Sequence, residues 1–170
     1  MNHTKEVIYP LKLYIKVGKD QLTAYNGRQV LERYKSFIKI QKEAWFPTNV
    51  LVFGMAMQMK AELCKAIKEG QTVEIYFAIG KTYDDSNRIY AKAKVLSIKS
   101  SNEKIDSPEP FYTPSEWQMH QAKCWILLSN FVEVEIQESE VKEYVVVSSG
   151  RALEYAIERP QMHFGYIMKR

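Results

Sequence analysis

"TVEIYFAIG" (72–80) and "RIYAKAKVLSIK" (88–99) are two apolar runs joined by the turn-forming stretch "KTYDDSN" (81–87). Val73, Ile75, Phe77 and Ile79 recur at every second position, which places them on one face of a strand. The return run carries Lys92 and Lys94 on its outer face, and its alternation slips at Val95-Leu96, the mark of a β-bulge. A β-hairpin is thus the clearest element of the chain, and the rest is read outward from it.

Upstream, "LKLYIKVG" (11–18) alternates Leu11, Leu13, Ile15 and Val17 and reads as another strand. Asn26-Gly27 breaks the chain. "RQVLERYKSFIKIQKEAW" (28–45) then spaces Val30, Tyr34, Phe37, Ile38 and Gln41 as on a helix, though "FIKI" also reads as the start of a strand. "NVLVFGMAM" (49–57) is an apolar run that fits no single assignment. "MKAELCKAIKEG" (59–70) has a helical stripe of Met59, Leu63, Ala66 and Ile67, with Gly70 at the C′ position. Downstream, residues 100–115 read as a loop rich in Ser, Pro and Glu, with a short helix starting near Pro114-Ser115. "KCWILLSNFVEVEIQ" (123–137) is a long strand bent at Ser129-Asn130, and "EYVVVS" (143–148) is another. Ser148 or Ser149 is placed to cap a helix in "GRALEYAIER" (150–159), which Pro160 follows, and "MHFGYIM" (162–168) closes the chain as a strand. Glu133, Glu135, Glu138, Glu140 and Glu143 read as a solvated face. Strands lying close together with a few helices between them predict an α+β fold, a strongly curved mixed sheet or small barrel flanked by helices. At 170 residues a single domain, 1–170, suffices for one core.

The net charge of +4 is unevenly spread: residues 1–60 hold ten Lys and Arg against four Asp and Glu, whereas residues 131–170 hold five against seven. A basic first third suits a phosphate backbone, with a solvated lysine-rich surface as the plainer reading. Cys64 and Cys124 lie far apart in apolar settings, with no histidine cluster to complete a zinc site. There is no apolar run of the ~18 residues a membrane span needs, and no signal peptide opens the chain. These features predict a cytoplasmic protein with reduced thiols and no membrane partner.

Catalytic signals are sparse. His3, His120 and His163 stand in unrelated contexts, and Asp84-Asp85 sits in a turn, where aspartate bonds its own backbone. No glycine-rich phosphate loop, paired metal-binding histidines or nucleophile elbow occurs. Neither catalytic residues nor a metal or cofactor is expected, and binding is the default. The aromatics carry more. Trp45 stands at an element boundary before Pro47, while Phe111, Tyr112 and Trp117 crowd an otherwise polar loop. Such rings either cap a core or form a flat pocket that stacks a base or holds a methylated nitrogen. Trp125, inside an apolar strand, is expected in the core; Trp117 is expected in a pocket, with Trp45 across from it.

The ordered pattern resembles a YTH/EVE domain of the PUA-like superfamily over most of the chain. "LYIKVGKDQ" resembles the first strand and its polar turn, and "IKIQKEAWFPTN" the segment that delivers a first cage tryptophan. "GQTVEIYFAIG" with "NRIYAKAKVLSI" resembles the central hairpin. "PSEWQMHQAKCWILLSNFVEV" resembles the loop of further cage aromatics and the strand after it, and "VVVSSGRALEYAIERPQ" the segment before the last helix. The resemblance implies an aromatic cage around the methylamino group of N6-methyladenine. Trp45 falls on its first position, Trp117 on its second loop, and Phe111 or Tyr112 on a further position. Lys16 lies near a nucleic-acid contact, and Lys123 takes the place of a basic residue before the Trp-Ile strand. Asn49 and Asn130 are candidates to pair with the base edge. "DDSN" stands where many eukaryotic members carry Ser-Gly-His, so the comparison turns to prokaryotic specificity domains that read modified DNA by base flipping in methyl-directed restriction systems. The implied partner is nucleic acid, methylated DNA before RNA, with a nuclease or NTPase module in the same or a partner chain. An RNA-binding reader of the same fold and a non-catalytic protein-interaction domain are the alternatives.

Overall fold

The computed structural model describes residues 5–49, 55–79, 89–134, 141–158 and 164–170. In chain order the elements are β1 (Lys12–Val17), α1 (Gly27–Gln41), β2 (Glu43–Thr48), α2 (Met55–Lys68), β3 (Val73–Ile79) and β4 (Ile89–Asp106). Two single-turn 3-10 helices (Pro110–Tyr112 and Ser115–Trp117) follow, then β5 (Gln121–Glu133), β6 (Tyr144–Val146), α3 (Leu153–Glu158) and β7 (Phe164–Lys169). The strands form one mixed sheet in the order β2-β5-β4-β3-β1-β7-β6. β1 and β3 run parallel, and the other neighbouring pairs are antiparallel. The class is mixed α+β.

The hairpin strands pair as expected, from Val73 opposite Val95 to Phe77 opposite Ala91. Its turn residues, including Asp84 and Asp85, lie outside the described residues. The slip at Val95-Leu96 is a register jump between Val95 and Ser97 against β5. A second jump, between Lys92 and Lys94, faces Asn130, whose φ of 50° bends β5 where Ser129-Asn130 suggested it. Asparagine tolerates this left-handed backbone better than most residues.

All seven residues of β3 and all six of β1 are buried, Lys12 and Lys16 included. Period two therefore assigns faces here but not exposure, because these strands sit mid-sheet with both faces covered. On one face Leu13, Ile15, Ile75 and Phe77 meet Val30, Leu31, Tyr34 and Ile38 of α1 and Met59 and Leu63 of α2. On the other, Tyr14, Tyr76 and Ala78 meet Leu153, Ala156 and Ile157 of α3 together with Val146 and Ile167. A smaller third cluster holds Trp45, Ala122, Trp125 and Leu127.

Helix ends follow local chemistry. Asn26 caps α1: its side chain accepts from the Gln29 N–H at 2.8 Å, and the Gln29 side chain accepts from the Asn26 N–H at 2.9 Å. Gly27, the first helical residue, lies so close to β1 that a Cβ would stand 2.2 Å from the Val17 carbonyl oxygen. α2 ends in a Schellman motif, with Gly70 at φ +85° and Gly70 and Gln71 N–H donating to Ile67 and Ala66 carbonyls.

Of the two readings of "FIKI" the helical one holds, because Ile38 and Tyr34 face the core one turn apart. Two expectations are corrected. Residues 100–106 are not loop: β4 continues to Asp106, and Ile105 and Asp106 pair with Ala122 and Gln121 after a register jump. This extension is mostly exposed, so its sequence lacks the apolar alternation that betrays a strand. Neither Ser148 nor Ser149 caps a helix. Ser149 Oγ accepts from the Arg151 N–H within a turn, and the first helical turn of α3 hangs from the Ala152 carbonyl. The short helix near Pro114 is the single 3-10 turn Ser115–Trp117.

Candidate functional site

The end of β1, the start of α1, β2 and the second 3-10 turn converge on a cleft. Its volume is about 190 Å³. One water occupies about 30 Å³ of liquid, so the space suits a flat ring rather than a whole cofactor. Ile15, Val30, Tyr34, Phe46 and Trp117 give the walls their apolar character, while Gly18, Lys19, Asp20 and Thr48 supply backbone and polar groups.

Each wall is fixed from behind. Trp117 is held because "PSEWQ" folds into one turn, with the Trp117 N–H on the Pro114 carbonyl at 2.9 Å. Glu116 next to it is anchored to the α1 region: Arg33 Nε donates to its two carboxylate oxygens at 3.0 and 2.7 Å and the Tyr25 hydroxyl donates at 3.3 Å, while the adjacent Ser115 hydroxyl donates at 3.1 Å. Burial pushes the Glu116 carboxyl up, but hydrogen bonds from Arg33, the backbone and Ser115, together with the Arg33 charge, outweigh it and hold it below its ordinary range. The indole then stacks on Tyr34 at 5.2 Å and 29°, with Tyr25 edge-on at 6.2 Å. Tyr34 in turn donates its hydroxyl to the Trp45 carbonyl at 2.8 Å, and burial drives its pKa well above the ordinary value. Phe46 closes against Tyr34 at 5.0 Å.

Asp20 supplies the charge. It sits in the turn after β1, where its Oδ2 accepts from the Thr23 N–H and hydroxyl at 2.8 and 2.7 Å. Its Oδ1 accepts from Trp117 Nε1 at 3.3 Å. A carboxylate oxygen has lone pairs beyond one long hydrogen bond, so Asp20 can take a further N–H from a ligand. Lys19 beside it is exposed.

The sequence-selected residues are distributed as follows. Trp117 lines the cleft but is 2% exposed, so it is as much a core residue as a wall. Trp125 is fully buried, as expected of a core position, with Nε1 donating to the Ile105 carbonyl at 3.0 Å. Trp45 does not face Trp117. Adjacent residues of a strand point to opposite faces, so Phe46 takes the cleft side while Trp45 joins Trp125 in the third cluster. There Trp45 Nε1 donates to Glu109 at 3.1 Å. Tyr112 packs against that cluster, and Phe111, 69% exposed, meets Tyr112 edge-on at 5.2 Å. The four expected cage aromatics therefore do not form one cage; Trp117, Tyr34 and Phe46, all but fully buried and packed on one another, lie behind the cleft instead.

Among the polar candidates, Lys16 is buried on the opposite face of the sheet from Ile15, with its ammonium on the Ile157 carbonyl at the end of α3. That is a favourable place for a cation, and Lys16 also contributes to the lining of the cleft between Ile15 and Gly18. Asn49 accepts from the backbone N–H of Lys123 at 3.1 Å, which brings the two together as a clasp between β2 and β5. Asn130 lies apart, beside Lys35, Lys39 and Lys42 at the far end of α1. Sequence reasoning passed over Tyr34, Phe46, Asp20 and Lys19. The available signal was "VGKD" (17–20), a glycine ending a core strand before two opposite charges.

Among the described residues no group of three His, Cys, Asp or Glu side chains is placed to hold a metal ion, and no helix is long and apolar enough to cross a membrane. Burial pushes the Cys124 thiol up to about 12. Set against protein-family models, curated proteins and solved structures, the chain matches none of them.

Proposed function

We propose that this chain is a nucleic-acid-binding reader of a modified base, N6-methyladenine in DNA first, and that it takes the flipped base into the cleft backed by Trp117, Tyr34 and Phe46. The observation that carries the reading is the pairing of an aromatic-backed cleft of base size with a carboxylate at its rim. N6-methyladenine keeps one exocyclic N–H, which Asp20 can accept. Without that acceptor the buried N–H would be left unpaired, at a cost of about 1–3 kcal/mol.

The energetics are close to balanced. Extruding the base costs a few kcal/mol. Stacking on an aromatic wall returns roughly 1–3 kcal/mol, and burying the methyl group about 1 kcal/mol more. Backbone contacts must supply the remainder, and they carry no sequence information. Lys19 at the rim is an exposed cation for that task, within a first third that holds six more positive than negative charges.

The test is binding to short duplexes that carry N6-methyladenine, 5-methylcytosine or no modification, beside single-stranded RNA of matched sequence. Tightest binding to the N6-methyladenine duplex supports the reading. Tightest binding to the RNA would make the chain an RNA reader of the same cleft, and binding to none of the probes would make it a protein-interaction domain.

A further inference from the structure

A second cleft, about 410 Å³, opens on the face of the sheet away from Trp117, between β1, β3, β4, β6 and β7. Its floor is a charge network. Lys12 donates to Glu74 Oε1 at 2.7 Å, and Lys92 reaches Glu74 Oε2 at 3.3 Å. The Lys12 side chain is 8% exposed and that of Glu74 12%. Burial alone would raise the Glu74 carboxyl, yet the bonds and charges of the two lysines hold it below its ordinary range.

The network is unbalanced. One carboxylate meets two ammonium groups, and Lys169 adds a third at the rim, where its nearest acid, Glu143, is 3.8 Å away and more than half exposed. An ammonium group has three donors, and Glu74 takes one of those on Lys12. Tyr76 and Tyr144 line the same space with their hydroxyls 3.2 Å apart, one donating to the other. Lys12 is buried against Glu74, whereas the Lys92 and Lys169 side chains are 40% and 65% exposed, so their ammonium groups are open to an anion arriving from solvent. A tetrahedral oxyanion, with several acceptor oxygens, suits a cleft lined by three lysine ammonium groups.

We propose that this cleft binds a phosphate group, with Lys12 and Lys92 as its principal cations and Lys169, Tyr76 and Tyr144 around it. The phosphate is carried either by a free nucleotide or by a nucleic-acid strand. The site lies on the other sheet face from the base-binding cleft and does not depend on that reading.

The experiment is an NMR titration of backbone amides in the full chain with inorganic phosphate, a nucleoside monophosphate and a short single-stranded oligonucleotide, each at matched ionic strength against chloride. Saturable shifts confined to amides near Lys12, Tyr76, Lys92 and Tyr144 are expected. A larger response to the monophosphate identifies a nucleotide site, and a larger response to the oligonucleotide a strand contact. Lys92→Gln, whose partner Glu74 keeps Lys12, is expected to weaken the interaction at least ~tenfold with the spectrum otherwise native. Asp20→Asn, at the other cleft, should leave it unchanged. Shifts no larger than those from chloride, or an unaltered titration in Lys92→Gln, would overturn the proposal.

Discussion

Replacing Trp117 by alanine tests how the candidate cleft is built. The indole is 2% exposed, stacks on Tyr34 at 5.2 Å, meets Tyr25 edge-on and donates to Asp20 at 3.3 Å. Deleting a buried Trp side chain costs about 3–5 kcal/mol. Of this, roughly 1 kcal/mol reflects the ring pair with Tyr34, and the long hydrogen bond contributes no more than about 1. Taking ~4 kcal/mol, and 2–4 °C of melting temperature per kcal/mol for a chain of this size, Trp117→Ala should melt roughly 8–16 °C below the parent. Trp117→Phe keeps a ring against Tyr34 and should lose only about 1–2 kcal/mol. Urea unfolding followed by circular dichroism reads both. A loss below ~1 kcal/mol for Trp117→Ala would refute the reasoning, because it would mean the ring is a lid and not a wall. The consequence for function is that base preference must be examined in Trp117→Phe, where loss of binding is not confounded by loss of fold.

Tyr14 is fully buried, and among the described residues its hydroxyl is without a hydrogen-bond partner. Tyr14→Phe should therefore raise stability by about 1 kcal/mol in urea unfolding, and a fall of that size would show that the hydroxyl is satisfied. Gly27→Ala places a methyl 2.2 Å from the Val17 carbonyl oxygen, against backbone that cannot swing away. A loss of about 1–3 kcal/mol is expected despite alanine's higher helix propensity, and a gain would contradict the close approach. The Glu74 and Glu116 carboxyls are held below their ordinary range, where the unfolded chain titrates near 4.3. Their contribution is fully present above that value and drains as pH falls through the lower folded values, so melting temperature should decline on acidification from about pH 5. Glu116→Gln should flatten part of that slope, and an unchanged slope would remove the Arg33 clamp from the account.

Much of the sheet was legible because its signals are local. The β3–β4 hairpin, the slip at Val95-Leu96 and Gly70 at the end of α2 follow from spacing and from backbone freedom alone. What was not legible depends on neighbours remote in sequence. Lys12 and Lys16 alternate with apolar residues and read as an outer face, yet β1 is central and α3, some 140 residues later, covers that side. Trp45 and Phe46 are adjacent, so a single position decides which enters the cleft. That parity is set by the pairing of β2 with β5, Phe46 opposite Ile126 and Trp45 opposite Leu127. The tryptophan in a polar loop stands out in the sequence, but the turn that carries it is tied down by Arg33 and Tyr25 through Glu116, partners that the loop sequence does not reveal. Residues 100–106 continue β4 without apolar alternation, since most of their side chains are exposed and only Ile105 packs inward.

The most direct test of the central claim is the ratio of affinities for two duplexes identical except for one N6-methyl group, measured across a range of salt. Phosphate contacts are common to both duplexes, so each affinity should fall with salt at the same log–log slope while the ratio stays constant. One buried methyl worth about 1 kcal/mol sets that ratio at roughly fivefold in favour of the methylated duplex. A ratio of one at every salt concentration would contradict the account, whatever the affinity for nucleic acid itself.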